Sequence, residues 1–243
     1  MYEKRYYRNQ FNNELVMFNV CVGETDLMIG CDTDLSPEAL RYVRRARSIL
    51  NRHIDLYPDF KSFLEPMKVN TDYDKLVNDM ILSGIKAGTG PMAAVAGAVA
   101  EYVGRELMKD SGQVFVENGG DIFFASIKDR AISVFAGESV LSNKVAVKIK
   151  ADKFPVGICT SSGTIGHSFS RGKADAVTII SKDTALADAV ATAACNRIQT
   201  YHDIESALDF TSGIEGILGA IAIIGDKLGA AGDIELASVG EQV

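Results

Sequence analysis

The sequence has no tryptophan, few prolines and few thiol groups for its length of 243 residues. It contains four cysteines and three histidines, with no C-x-x-C pair and no histidine at zinc-finger spacing from a cysteine. This pattern argues against a structural zinc site. So few thiols in a chain of this length indicate a reducing compartment, in which cysteines stay free. The cysteines are Cys21, Cys31, Cys159 and Cys195.

An excess of positive charge and a long apolar run are also missing. The formal net charge of −7 and the pI of about 5.1 argue against a nucleic-acid partner, because such binding needs clustered Lys and Arg. The one basic run, at 41–52, has helical periodicity and is interpreted as a solvated helix face. The apolar stretches 92–100 and 217–224 are shorter than the roughly 20 residues of a membrane helix, and residues 1–8 are not followed by the apolar segment of a signal peptide. We therefore predict a cytoplasmic protein without a membrane partner.

Hydrophobic periodicity predicts runs of strands followed by helices rather than a strict alternation of the two. This order indicates an α+β fold with a largely antiparallel sheet and packed helices. The chain has no linker rich in Pro, Ser or Gly, so we predict a single domain over residues 1–243. Ser36 is predicted to cap the first helix, which ends before Pro58, and residues 225–229 are predicted to form a turn. The predicted strands are 14–22, 27–31, 114–117, 122–126, 131–135, 145–149, 156–160, 176–180, 217–224 and 234–237, and the further helices are 73–85, 92–109, 185–196 and 204–210.

Residues 157–168 are the strongest candidate for a functional loop. They place a thiol, five hydroxyls and an imidazole directly after an apolar strand pattern, with glycines that let a ligand approach the backbone. We expect His167 to act as an acid or base, because imidazole titrates near neutral pH, and Cys159 to be a candidate nucleophile. An ordinary polar loop is the alternative, since Ser, Thr and Gly also dominate such loops. The candidate ligand contacts are Thr160, Ser161, Ser162 and Gly163.

The alanine-rich helix at 185–195 carries a polar stripe. At about 100° per residue, Thr184, Asp188, Thr192 and Cys195 project from one side of this helix. The Asp188 carboxylate and the Thr192 hydroxyl are hard oxygen donors of the kind that Mg²⁺ binds. A structural interpretation is equally open, because Asp188 favours the positive helix start and Thr192 can bond back to a carbonyl. Cys195 is expected to be a small buried apolar residue.

The segment 116–122 has two interpretations. Asn118 followed by Gly119 between two strand patterns is a strong hairpin signal. Consecutive glycines also bring backbone N–H groups close to a ligand, and Asp121 adds a carboxylate beside Gly120. The segment 88–91, Gly-Thr-Gly-Pro before a helix, could seat an anion, but it lacks the spacing of a nucleotide-binding motif.

Taken in order, residues 84–99, 117–122, 159–163 with His167, and Asp188-x-x-x-Thr192 resemble the ApbE family of FAD-dependent protein flavinyltransferases. The chain is still more similar to the ApbE-like branch called UPF0280. The segments typical of that branch are 24–27, 159–175 and 225–229, and this resemblance covers nearly the whole chain.

The resemblance implies an α+β domain with a T-fold-like core that holds FAD with Mg²⁺ and passes the FMN half to a Thr or Ser of an acceptor protein. It implies that Asp188 and Thr192 bind the metal and that His167 lies in the active site. It further implies that three residues shape the flavin pocket, namely Gly119, Gly120 and Asp121.

The chain departs from the ApbE pattern after His167, where the family usually has Asp-Pro and Thr-Gly, and we expect no export signal of the kind that the family usually carries. Three hypotheses follow. The first is an ApbE-like cytoplasmic enzyme that binds FAD or FMN with Mg²⁺ and transfers FMN to a protein acceptor. The second is sulfur transfer through Cys159, as the branch is linked to homocysteine formation in anaerobes and methanogens. The third is a non-enzymatic binding module with the ApbE-like fold. Small residues in the helix at 92–109 favour a homo-oligomer.

Overall fold

Eleven strands form two antiparallel sheets in the part of the chain that the structure describes, residues 14–164 and 171–239 of a computed structural model. The larger sheet has eight strands in the order β1-β2-β3-β4-β7-β8-β9-β10, and every neighbouring pair is antiparallel. The smaller sheet has the order β11-β6-β5. The strands are β1 (Val16–Val22), β2 (Thr25–Cys31), β3 (Val114–Asn118), β4 (Asp121–Ala125), β5 (Arg130–Ser133), β6 (Val145–Ile149), β7 (Val156–Ser161), β8 (Ala176–Ser181), β9 (Ile217–Ile224), β10 (Lys227–Gly232) and β11 (Glu235–Ser238).

Five α-helices of the described residues accompany the sheets. They are α1 (Ser36–Leu56), α2 (Lys75–Ala87), α3 (Val95–Leu107), α4 (Thr184–Arg197) and α5 (Ile204–Ser212). None of the helices within the described ranges is long and apolar enough to cross a membrane. The mixture of helices with a mainly antiparallel sheet confirms the predicted α+β class.

The alternation of side chains along the strands gives the large sheet two apolar faces. On one face, Phe124 and Phe115 pack with Ile132 and Val147 of the small sheet in one hydrophobic cluster. On the other face, Phe123 lies in a cluster that includes side chains from α1 and α3. The large sheet therefore lies between the small sheet and a layer of helices.

Helix α4 is buried on almost every side, which explains its composition. It packs against β7 and β8 on one side and against α2 and α3 on others. Residues 184–191 and 193–195 are all buried, whereas Thr192 is half-buried. Because almost every side of α4 faces another element, its alanines allow those elements to approach closely, and the polar side chains of Thr184 and Asp188 are buried with them.

One local prediction was wrong and two were right only in part. Ser36 does not cap α1, because the helix already begins at Ser36 and Leu35 precedes it without a side-chain cap. The helix predicted at 92–109 begins as a 3₁₀ turn at Pro91–Ala94, and the α-helical part, α3, starts at Val95 and ends at Leu107. The turn predicted at 225–229 is shorter, because Gly225 and Asp226 suffice to reverse the chain after β9 and residues 227–232 form β10.

Candidate functional site

The predicted hairpin and the predicted loop meet where β4 pairs with β7. In this antiparallel pair Asp121 lies directly opposite Cys159. The turn between β3 and β4 contains Gly119 and Gly120, whose φ angles of 70° and 112° confirm the predicted hairpin and favour glycine at both positions. The first residue of β4 therefore places its carboxyl beside the thiol at the centre of β7.

Two side chains that precede the glycines hold this turn in place. The buried carboxylate of Glu117 accepts a hydrogen bond of 2.9 Å from the Gly120 N–H. The Asn118 Nδ2 donates to the Ala96 carbonyl oxygen at 3.0 Å, which connects the turn to the first turn of α3. The turn is thus fixed both within the hairpin and against a helix.

Helix α4 brings a second carboxyl to the same place. Its start is capped by Asp183, which accepts a hydrogen bond of 2.9 Å from the Leu186 N–H. Asp188 is 7% exposed and accepts a hydrogen bond of 2.9 Å from the Gly97 N–H of α3. A Cβ atom added at Gly97 would lie 2.4 Å from the Thr184 carbonyl oxygen, so the contact between α3 and α4 requires glycine there.

The two carboxyls experience strong electrostatic effects. Burial raises the pKa of Asp121 well above its ordinary value, and the charges of Asp188 and Glu117 raise it further. Burial raises the pKa of Asp188 to about 7, while hydrogen bonds from the Gly97 and Ala96 backbone oppose this shift. Neither Asp121 nor Asp188 forms an ion pair with a Lys or Arg side chain in the described residues.

Cys159 is fully buried beside these carboxyls. Its Sγ lies 3.4 Å from the Thr184 carbonyl oxygen, to which it donates. Burial raises the pKa of this thiol well above its ordinary value, and the charges of Asp121 and Asp188 add to the effect. The thiol therefore stays protonated, whereas a nucleophilic cysteine needs an accessible thiolate in positive surroundings.

The hydroxyl groups of the remaining loop residues have different hydrogen-bond partners. The Ser161 hydroxyl shares a hydrogen bond of 3.2 Å with the Thr192 hydroxyl of α4, so the predicted loop does meet the predicted metal-binding helix. The Thr160 hydroxyl instead bonds Thr178 of β8 at 2.8 Å, and the Ser162 hydroxyl lies 3.2 Å from that of Thr164.

Three further predicted residues are placed as follows. The Gly163 N–H donates to the Ala174 carbonyl oxygen at 2.9 Å. Cys195 is buried, as predicted. His167 lies outside the described residues.

The oxygen atoms of this site are suited to a hard divalent cation. In the described ranges, no group of three or more His, Cys, Asp or Glu side chains is arranged to hold a metal ion. Mg²⁺, however, needs only one or two carboxylates, because waters and substrate phosphates complete its shell. Asp188 and Asp121 with the Thr192 hydroxyl match that requirement. Since no Lys or Arg of the described residues pairs with the two carboxyls, a cation would stabilise their charged forms.

Three residues of the site had no predicted role in it, although the quoted motifs contain them, namely Gly97, Glu117 and Asn118. Glu117 and Asn118 belong to the motif 117–122, but their partners are Gly120 within the turn and Ala96, which is 22 residues away from Asn118. Gly97 lies within the motif 84–99, where it is one of several small residues of an apolar helix. Its backbone N–H, rather than any side chain, makes the contact to Asp188, so composition alone could not reveal it.

The fold defines the class of this protein. A solved structure of the flavin transferase ApbE from Vibrio cholerae matches with a TM-score of 0.57 and 13% identity, covering 93% of this chain and 97% of that one. The apo flavinyl transferase ApbE of Pseudomonas stutzeri matches with a TM-score of 0.57 and 14% identity, covering 89% and 94%. The chain thus has the ApbE fold.

Sequence comparison gives the family. The family model described as AbpE bacteria matches residues 8–226. The UPF0280 protein of Methanocaldococcus jannaschii is 36% identical over 88% of this chain and 90% of its own. The UPF0280 protein of Methanospirillum hungatei is 45% identical over 87% and 85%. The chain belongs to the UPF0280 family, an ApbE-like group, which confirms the resemblance found in the motifs.

Proposed function

We propose that this protein binds FAD with Mg²⁺ and transfers the FMN half to a hydroxyl group of an acceptor protein. The observation that carries the proposal is the convergence of the half-buried Asp121 and the buried Asp188, on the fold of proteins that are named flavin transferases. Two carboxyls that are shielded from water and have no basic partner among the described residues are costly to ionise. A divalent cation and the phosphates it accompanies would remove that cost.

Residues from two elements would hold the metal. Asp188 and Thr192 lie one turn apart on α4, and Asp121 approaches from β4. The hydrogen bond between Ser161 and Thr192 would orient the threonine oxygen. When bound, Mg²⁺ supplies charge neutralisation for the pyrophosphate as its bond breaks.

The nucleotide would lie beside the β3–β4 turn. A Cβ atom added at Gly119 would meet no described atom within 4 Å, so one side of this turn is open to a ligand. Gly119 and Gly120 would let the flavin approach the backbone. The polar end of β7 and the residues after it would bound the other side of the pocket with Thr160, Ser161, Ser162 and Gly163.

In the proposed reaction the acceptor hydroxyl oxygen bonds to the FMN phosphorus. The phosphoanhydride bond of FAD breaks, and AMP leaves with the bonding electron pair. The hydroxyl proton passes to a base, for which His167 is our sequence-based candidate. The products are a phosphoester-linked FMN and AMP, so the atoms and charges balance.

The alternative of sulfur transfer receives no support from the surroundings of Cys159. Its thiol is fully buried, and burial raises its pKa. A persulfide carrier needs an accessible sulfur that forms a thiolate near neutral pH. These features favour a packing role for Cys159, whose role as a nucleophile stays a prediction from sequence.

The experiment measures AMP release from FAD and flavin-dependent stabilisation. We expect FAD to raise the Tm of the wild type in the presence of Mg²⁺ and much less in EDTA. Asp188→Asn should abolish the Mg²⁺-dependent part, and Cys159→Ser should retain it. Asp209→Asn, an exposed carboxyl of α5, is the matched control.

Two results would contradict the proposal. Absence of any Mg²⁺-dependent response to FAD in the wild type would exclude the flavin site, and would leave the non-enzymatic module as the better account. A response that Asp188→Asn and Asp209→Asn share equally would place the metal elsewhere. AMP release that depends on an added acceptor protein would distinguish transfer from binding alone.

A further inference from the structure

We infer that Asn118 is a positioning residue that sets the geometry of Asp188 for the metal. This inference rests on the proposed Mg²⁺ site and adds to it a residue that has no place among the predicted ligands. A single peptide group of α3 forms a hydrogen bond on each side, one with Asn118 and one with Asp188. The carbonyl of Ala96 and the N–H of Gly97 belong to that peptide group.

Two hydrogen bonds connect Asn118 to Asp188 through this peptide group. The Asn118 Nδ2 donates to the Ala96 carbonyl oxygen at 3.0 Å. The N–H of the same peptide, on Gly97, donates to Asp188 Oδ2 at 2.9 Å. A carbonyl that accepts a hydrogen bond polarises its own peptide N–H, so the bond from Asn118 strengthens the donor that faces Asp188.

The position of Gly97 makes this N–H available. Gly97 is the third residue of α3, and the first four N–H groups of an α-helix have no partner within the helix. A Cβ at Gly97 would lie 2.4 Å from the Thr184 carbonyl oxygen and 2.8 Å from the Cβ of Asp188, so the Gly97 backbone packs directly against α4. A small rotation of this peptide would therefore move the Asp188 carboxylate.

Asn118 also faces the second carboxyl of the site. In the β3–β4 ladder Asn118 pairs with Asp121 across the glycine turn. Through its own strand it is connected to Asp121, and through Ala96 and Gly97 it is connected to Asp188. Asn118 thus sets the spacing between the two carboxylates. Residues that orient metal ligands in this way usually change metal affinity 10–100-fold when they are removed.

The test is a calorimetric titration of the folded protein with MgCl₂ in the presence of FAD. Asn118→Ala should weaken Mg²⁺ binding about 10-fold or more, since it removes the donor. Asn118→Asp keeps the size of the side chain and also lacks the donor. Its added negative charge would by itself favour a cation, so weaker binding by this variant would specifically indicate lost positioning.

Asn78→Ala is the matched control, because the Asn78 amide also donates to backbone carbonyl oxygens, those of Asn70 and Tyr73, away from the site. It should lower the Tm without changing Mg²⁺ affinity. Wild-type affinity in both Asn118 variants would overturn the inference and leave the proposed function standing. A wild type that binds no Mg²⁺ would overturn both the inference and the proposed function. If Asn78→Ala lowered Mg²⁺ affinity as much as the Asn118 variants do, Asn118 would have only a general structural role and the inference would be wrong.

Discussion

The carboxyl of Asp188 is subject to two opposing effects. Burial disfavours its charge and raises its pKa to about 7, whereas the N–H groups at the start of α3 favour the charge. Between the ordinary pKa of 3.8 and about 7, the folded state holds a proton that the unfolded state releases. Stability therefore falls as pH rises through this interval, and it stays lower above it.

Asp188→Asn should for this reason stabilise the metal-free protein at pH 8. The amide oxygen can still accept from the Gly97 N–H, and the cost of a buried charge is removed. We expect a gain of about 1–4 kcal/mol at pH 8, from about 1.4 kcal/mol for each unit of pKa, and a much smaller gain at pH 4.5. Urea unfolding in EDTA at both pH values measures the difference.

An Asp188→Asn variant that is less stable than the wild type at pH 8 would show that the carboxylate is stabilised by a partner.

Thermal unfolding of the wild type should show a larger rise of Tm with Mg²⁺ at pH 8 than at pH 6, because the cation competes with the proton for Asp188.

At the scale of elements, the site depends on how closely α3 and α4 approach each other. Thr184 begins α4, and its N–H donates to Glu101 of α3 at 2.6 Å. One turn further along α4, Asp188 reaches Gly97. Glycine at this crossing and alanines along α4 allow a backbone contact that larger side chains would prevent.

Gly97→Ala should therefore destabilise the protein although alanine is the better helix former. The added Cβ would lie 2.4 Å from the Thr184 carbonyl oxygen, so the helices must separate. We expect a loss of about 1–3 kcal/mol in the free energy of unfolding, as in other overpacked cores. Gly213→Ala after α5 meets no atom closer than 3.6 Å and should change stability by less than about 0.5 kcal/mol. Equal effects of the two substitutions would refute the tight crossing.

For the whole molecule, the large sheet joins two separate apolar layers. Phe123 and Phe124 are neighbours in β4 and both are almost fully buried, yet they belong to different clusters. The small sheet alone has three strands and could not bury both of its faces. We propose that the two layers unfold together as one domain.

Phe123→Ala and Phe124→Ala test this proposal. Each should cost about 3–5 kcal/mol, because a large aromatic side chain is lost from a packed core. Chemical unfolding, followed by far-UV circular dichroism and by tyrosine fluorescence, should show a single transition for both variants. A second transition in only one of them would separate the layers into independent units.

Local features of the chain could be predicted because they depend on neighbours in sequence. Apolar patterning predicted every described strand except β10, and Asn118 with Gly119 predicted the β3–β4 turn, since only a few residues tolerate positive φ. The spacing of Asp188 and Thr192 predicted that they share one face of a helix. The predicted start of α1 was wrong because Leu35 and Ser36 lack the side-chain bond that a cap would make.

Periodicity and side-chain type are local properties, so the amino-acid sequence sufficed to predict the α+β class and the residues that could carry chemistry. The pairing of Asp121 with Cys159, the approach of Asp188 to them, and the connection of Asn118 to Asp188 through the Ala96–Gly97 peptide are seen only in the folded chain. These contacts join residues 22 to 91 positions apart in the chain. They depend on strand pairing and on one helix crossing, and no local pattern encodes the burial that raises the pKa of these groups.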